Sequence, residues 1–183
     1  MDFAAYGIIA FGTRASSFDI ERHLLLCEAY VATLPHASEN NEPRSDQITT
    51  VWPMQTNEAA NALNRAHRDR VCSRAVAEYG LVTARQAIND AERTGIKLSG
   101  TGPFLLAWSP SGDKGKSDAL ILSLDLSLVQ NYEQAVFIFD KWRNEIEMDR
   151  SNWENGWDIE KVRITIQQWV DKYGEKIVNI LPL

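Results

Sequence analysis

The sequence has no long uninterrupted hydrophobic run. Its first apolar stretch, residues 3–11, is too short to cross a bilayer as a helix, which takes about 20 residues. No positively charged segment precedes it, as one would in an export signal. We therefore expect no membrane insertion of this chain and a cytoplasmic location.

Basic side chains are also too few to dominate the surface. The chain has 19 Lys and Arg against 25 Asp and Glu, which gives a formal net charge of −6 at pH 7. Binding to a phosphate backbone depends on clustered cations. The acidic balance therefore disfavours nucleic acid as a partner and favours solubility.

Cysteine and histidine are scarce, with two and three residues respectively. Cys27 and Cys72 both fall on predicted helices among apolar neighbours, where cysteine usually behaves as a small buried hydrophobe. We favour free thiols, while a Cys27–Cys72 disulfide stays open because spacing alone cannot supply its geometry. His23 and Cys27 are four residues apart on one helix, but no second closely spaced ligand pair accompanies them. The sequence thus predicts no metal site and no cofactor.

Residues 107–117, AWSPSGDKGKS, end with the last three letters of the phosphate-binding loop of nucleotide hydrolases. Two features of the segment exclude such a loop. The motif G-x-x-x-x-G-K-[ST] needs a glycine five residues before Gly115, where this chain has Pro110. The motif must also open a helix. Residues 119–128 instead alternate like a strand, so the segment is predicted to be the loop of a hairpin.

The remaining pattern predicts one α+β domain spanning 1–183. Its order is β-α-β-α-α-β-β-α-α, with a C-terminal edge strand at 177–183 as an option and a surface loop at 36–46. The adjacent strands at about 104–128 form a hairpin, which indicates a mixed or antiparallel sheet with helices packed on it. The predicted strands are 5–11, 48–52, 104–108 and 119–128, and the predicted helices are 18–34, 56–94 divided at Gly80, 132–148 and 158–173.

The strand at 119–128 has leucine at every second position and a smaller, more polar opposite face. Asp125 lies on that polar face beside Ser123 and Ser127. A small hydrolase-like enzyme using the Asp125 carboxylate with His23 or His67 is therefore our second functional hypothesis. A solvated sheet face without a role is the favoured interpretation of these residues.

His67, Arg70 and Arg74 step by three and four along the predicted long helix. They would form one ridge for an acidic partner or a small anion. Glu78 continues the ridge and neutralises part of it, so an ordinary charged helix face is favoured.

Tryptophan is the most unusual feature, because four of the six tryptophans lie after residue 140. Trp153 and Trp157 flank Asn155-Gly156 in a predicted loop, where exposed rings would suit contact with a partner. The favoured interpretation of the two rings themselves is that they fold back against the protein, because tryptophan is usually buried. Our first functional hypothesis is a non-catalytic binding or interaction domain that contacts a protein or small ligand through this C-terminal aromatic surface.

Overall fold

The computed structural model describes residues 3–34, 43–67, 71–98 and 102–173. The optional edge strand at 177–183, most of the predicted loop at 36–46, and Arg70 lie outside the described residues. The part of that loop which is described, 43–46, contains a 3-10 turn at Arg44–Asp46 and is mostly exposed. None of the described helices is long and apolar enough to span a bilayer.

The described residues contain a four-stranded mixed sheet with the order β2-β1-β3-β4. β1 pairs in parallel with β2 and antiparallel with β3, and β3 pairs antiparallel with β4. The α+β prediction is confirmed. The strand bounds are Ala5–Ala10 for β1, Ile48–Val51 for β2, Phe104–Trp108 for β3 and Ile121–Asp125 for β4.

The described residues also contain six α-helices. The fifth continues directly as a π-helical segment, Trp142–Glu147. The helix bounds are Ile20–Thr33 for α1, Asn57–Asn64 for α2, Cys72–Ala77 for α3, Leu81–Glu92 for α4, Tyr132–Lys141 for α5 and Ile159–Tyr173 for α6.

The described part of the predicted helical region at 56–94 contains three helices instead of two. It begins as expected, because the Thr56 hydroxyl accepts a hydrogen bond from the amide of Ala59 and caps α2. Gly80 separates α3 from α4 as predicted. The additional break falls after Asn64, and α3 then buries Cys72, Ala75 and Val76.

The predicted hairpin is present between β3 and β4, and residues 109–120 form its loop. Gly115 has a φ of +90°, a conformation that favours glycine. The Lys114 ammonium lies 3.3 Å from the Asp90 carboxylate of α4 and holds the loop on that helix. The strand that follows leaves no helix N-terminus at this loop for a phosphate.

β4 is shorter and more buried than its leucine alternation predicted. The chain turns after Asp125, where the amide of Leu126 donates to the carbonyl of Pro103. Ser123 is buried as well as Leu122 and Leu124, so both faces of the strand are covered. The expectation of a half-buried strand is wrong, because the core continues on both sides of it.

Cys27 of α1 and Cys72 of α3 form a disulfide. Our preference for free thiols is therefore wrong. The two helices approach closely enough to bring the cysteine Cα atoms to 5.6 Å, within the range that a disulfide needs. Both residues are buried, so the bond lies inside the protein.

Candidate functional site

Trp153 and Trp157 are buried, at 2% and 6% exposed, which agrees with the favoured interpretation that they fold back and not with the exposure that our first functional hypothesis requires. The Trp153 indole N–H donates to the carbonyls of Ile146 and Glu147 at 3.1 and 3.2 Å. That of Trp157 donates to the carbonyl of Ala107 at 3.3 Å. Both rings pack back into the core because backbone carbonyls within reach satisfy their only polar group. They are not a contact surface.

The Asp125 side chain forms its hydrogen bond within the turn that follows β4. Its carboxylate accepts a hydrogen bond of 2.8 Å from the amide of Ser127 and caps the chain reversal after β4. Among the described residues, no hydrogen bond or ion pair joins it to His23 or His67. The proposed carboxylate–histidine arrangement is therefore not assembled there.

The two histidines lie in contrasting surroundings. His23 is buried on α1, with its ring stacked on Phe11 at 3.9 Å between ring centroids and its Nδ1 3.1 Å from the carbonyl of Asp19. His67 is exposed beyond the end of α2. The Cys27 sulfur is part of the disulfide, so the His23–Cys27 pair offers no thiolate to a metal. The described residues contain no group of three or more His, Cys, Asp or Glu side chains arranged for a metal ion.

The ridge of His67, Arg70 and Arg74 does not form on one helix. α2 ends at Asn64, and Arg74 belongs to α3, so His67 and Arg74 lie on different segments. Arg70 lies outside the described residues. The Arg74 guanidinium pairs with Glu78 at 2.8 Å, which leaves an ordinary exposed ion pair.

The sequence interpretation missed a group of exposed apolar side chains where α1 begins. Of the eight large hydrophobic residues exposed in the described parts of the chain, Phe18 and Ile20 lie there, and Phe18 is 98% exposed. Two others, Leu128 and Tyr132, lie in the connection after β4 and at the start of α5. We call this group the edge surface, and it consists of Phe18, Ile20, Leu128 and Tyr132.

Arg22 brings the two segments of the edge surface together. Its guanidinium donates to the carbonyls of Leu126, Ser127 and Val129, on both sides of Leu128 in the chain. Phe18 and Ile20 lie four and two residues before Arg22, and Tyr132 begins α5. The first turn of α1 therefore lies beside the connection between β4 and α5.

A hydrogen-bonded turn fixes the backbone beneath Phe18. The Asp19 carboxylate accepts bonds from the amide and the hydroxyl of Ser16, and the amide of Ile20 donates to the carbonyl of Ser16 at 2.9 Å. The Ser16 hydroxyl bond lowers the pKa of Asp19 below its usual value. Phe18 is therefore exposed on an ordered turn.

A second group that the sequence did not reveal surrounds Glu147, the last residue of the π-helical segment. The Thr50 hydroxyl donates to Glu147 Oε1 at 2.6 Å, and the Trp142 indole N–H donates to the same oxygen at 2.8 Å. Burial raises the pKa of Glu147, and the two hydrogen bonds and the Arg143 cation oppose that rise. No local pattern marks Glu147, because it lies in an ordinary run of charged helical residues.

Comparison with family models, curated proteins and solved structures finds no match for this chain.

Proposed function

We propose that this chain is a non-catalytic binding domain that contacts a partner protein through the edge surface. The observation that carries the proposal is the 98% exposure of Phe18 on a hydrogen-bonded turn. Burying a phenylalanine side chain is worth about 1.5–3 kcal/mol relative to leaving it in water. Phe18 contributes almost none of this to the fold, so it remains available on association.

The neighbours of Phe18 support the same proposal. Ile20, Leu128 and Tyr132 are also exposed apolar residues, and they lie on two segments that Arg22 ties together. Clustered exposed apolar side chains, unlike single ones, are typical of interaction sites. A prearranged backbone also reduces the ordering that binding would otherwise require. We infer a partner that presents an apolar pocket to Phe18.

The hydrolase hypothesis has no comparable support. The Asp125 carboxylate is engaged by the amide of Ser127, and no contact brings a histidine to it in the described ranges. We therefore retain the hypothesis of a non-catalytic binding domain. We assign its contact surface to the start of α1 in place of the C-terminal tryptophans.

Paired substitutions test the edge surface. Phe18→Ser and Leu128→Ser each remove an apolar contact, and Met148→Ser is the matched control because Met148 is 64% exposed outside the edge surface. We expect a protein captured from the native source by wild type and Met148→Ser to be lost with Phe18→Ser. Titration of that purified protein should show at least about thirtyfold weaker binding, the loss typical of an interface hot spot. Equal affinity for all four proteins would contradict the proposal.

The disulfide bears on the compartment in which the domain works. Disulfides persist in oxidising compartments and are rare in the cytosol. We therefore propose an oxidising compartment in place of the cytoplasmic location expected from the sequence. Alkylating the thiols of the protein from its native source before and after reduction tests this. Cys27 and Cys72 should react only after reduction. Full reaction of both thiols before reduction would contradict the oxidising compartment and favour the cytoplasm.

A further inference from the structure

The short helix α3 is attached to the rest of the protein differently at its two ends. Just beyond its C-terminal end, the carbonyl of Glu78 accepts a hydrogen bond of 2.9 Å from the amide of Gln55. At its N-terminal end, Cys72 is the first residue of the helix and is bonded to Cys27 of α1. We call residues 71–77 the strap.

The C-terminal attachment of the strap does not involve the disulfide. The buried Tyr79 hydroxyl donates to the carbonyl of Ile9 and accepts from the amide of Phe11, both at 2.9 Å. Gly80 allows the chain to pass close to the segment before α2, since a Cβ at position 80 would lie 2.5 Å from the Met54 carbonyl oxygen. These contacts fix this end of the strap on β1 whether the cysteines are oxidised or reduced.

The strap has little other attachment. It buries four small side chains, which are those of Val71, Cys72, Ala75 and Val76. With Cys27 they form a cluster of their own, apart from the core on the sheet. Among the described residues, one hydrogen bond joins the strap to another element, from the Trp52 indole N–H to the carbonyl of Ala75 at 3.2 Å. Small side chains bury little apolar area, so this packing alone holds the strap weakly.

We propose that the Cys27–Cys72 disulfide is a redox-sensitive switch for the strap. The intact bond keeps the strap on α1, and its reduction by a dithiol lets the strap move away from α1 while the Tyr79 end stays attached. The open strap uncovers Leu24 and Val31 of α1, which pack against the small cluster in the closed state. Reduction thereby exposes an apolar face of α1 together with two thiols.

The chemical step is thiol–disulfide exchange with a dithiol. Cys72 is the more exposed of the two cysteines, at 7% against 1%, so we place the attack at its sulfur. A thiolate of the reductant forms a mixed disulfide with Cys72, the Cys27–Cys72 bond breaks, and the Cys27 sulfur leaves and takes up a proton. The second thiol of the reductant then displaces the Cys72 sulfur. The protein gains two electrons and two protons, and the reductant leaves as a disulfide.

The bond decides whether the strap can open because it removes the open state. While it is intact, Cys72 cannot separate from Cys27. After reduction, the released end of α3 regains conformational freedom, which opposes closing. A helix this short is also marginal in water without tertiary packing. The reduced strap should therefore open locally, without unfolding of the sheet.

Hydrogen exchange of the oxidised and the reduced protein tests the switch. A disulfide that only stabilised the whole fold would, once reduced with dithiothreitol, leave α3 and β1 exchanging faster by the same factor. Local opening should instead raise the ratio of α3 exchange to β1 exchange by at least about tenfold on reduction. A ratio that stays unchanged, including one from a reduced protein that unfolds as a whole, would overturn the proposal.

Ile138→Val gives a second test in the reduced protein, because it removes one methylene from the main core and leaves the strap intact. It should accelerate β1 exchange by about two- to tenfold and leave α3 exchange unchanged. Val76→Ala is the matched variant in the small cluster and should accelerate α3 exchange. If Ile138→Val accelerated α3 as much as β1 after reduction, the strap would open only with the whole fold, and the switch would be excluded.

Discussion

The loop around Trp153 and the turn around Phe18 both place large aromatic side chains outside regular helices and strands, with opposite exposure. The tryptophans lie in the core with their indole N–H groups bonded to backbone carbonyls. Phe18 lies in solvent on a turn that is held by hydrogen bonds among Ser16, Asp19 and Ile20. The two regions therefore contribute differently, one to the stability of the fold and the other to the surface.

This difference shows what determines whether an aromatic ring in a loop is buried or exposed. The Trp153 loop is fastened to the sheet, because the Ser109 hydroxyl donates to the Trp153 carbonyl at 2.5 Å, and the ring is drawn inward with the backbone. The Phe18 turn is closed by hydrogen bonds within residues 16–20, and its ring stays 98% exposed. Backbone attachment, and not loop position, separates the two cases.

Replacing the buried rings should have the largest effect. Trp153→Ala and Trp157→Ala should each lower the free energy of unfolding by about 3–5 kcal/mol, since each leaves a cavity and removes an indole bonded to a backbone carbonyl. Urea denaturation followed by circular dichroism measures this. A loss below about 1 kcal/mol would show that these rings do not support the core.

Removing the disulfide should have the next largest effect. The Cys27→Ala, Cys72→Ala double variant should lose about 2–4 kcal/mol, because the bond closes a loop with a sequence separation of 45 in the unfolded chain. The same urea titration should also give a larger m-value, since the unfolded variant is less compact. Wild-type protein in reducing agent should reproduce both changes, and unchanged stability in both samples would contradict this prediction.

Phe18→Ala provides the matched control for the comparison and should have the smallest effect. We expect the free energy of unfolding to change by no more than about 0.5 kcal/mol, because the ring has almost no contact to lose. A loss as large as that of Trp153→Ala would mean that Phe18 packs in solution, and it would remove the difference between the two regions.

The sequence allowed the architecture to be predicted because its signals are local. The alternation at 119–128 and the turn residues of 107–117 predict the hairpin between β3 and β4. Pro110 and the following strand exclude a phosphate loop. The caps and breaks at Thr56 and Gly80 were also predicted, since they depend on neighbouring residues alone.

The candidate sites could not be predicted because they depend on long-range contacts. Glu147 becomes unusual only when Thr50, 97 residues earlier in the chain, reaches it. The burial of Trp157 depends on a carbonyl at Ala107, 50 residues away. The disulfide required α3 to begin at Cys72 and pack on α1, whereas the sequence suggested one longer helix.

The central position of β1 also has a consequence for how the chain acquires its fold. β1 pairs on one side with β3, and the paired residues Tyr6 and Trp108 are separated by about 100 residues. Pairings across so much chain form slowly, because the loop must close before any contact rewards it. At ordinary rates of synthesis β1 therefore waits on the order of 10 s for its partner strand. During that interval a strand that is completely buried in the finished protein depends on β2 and α4 for cover.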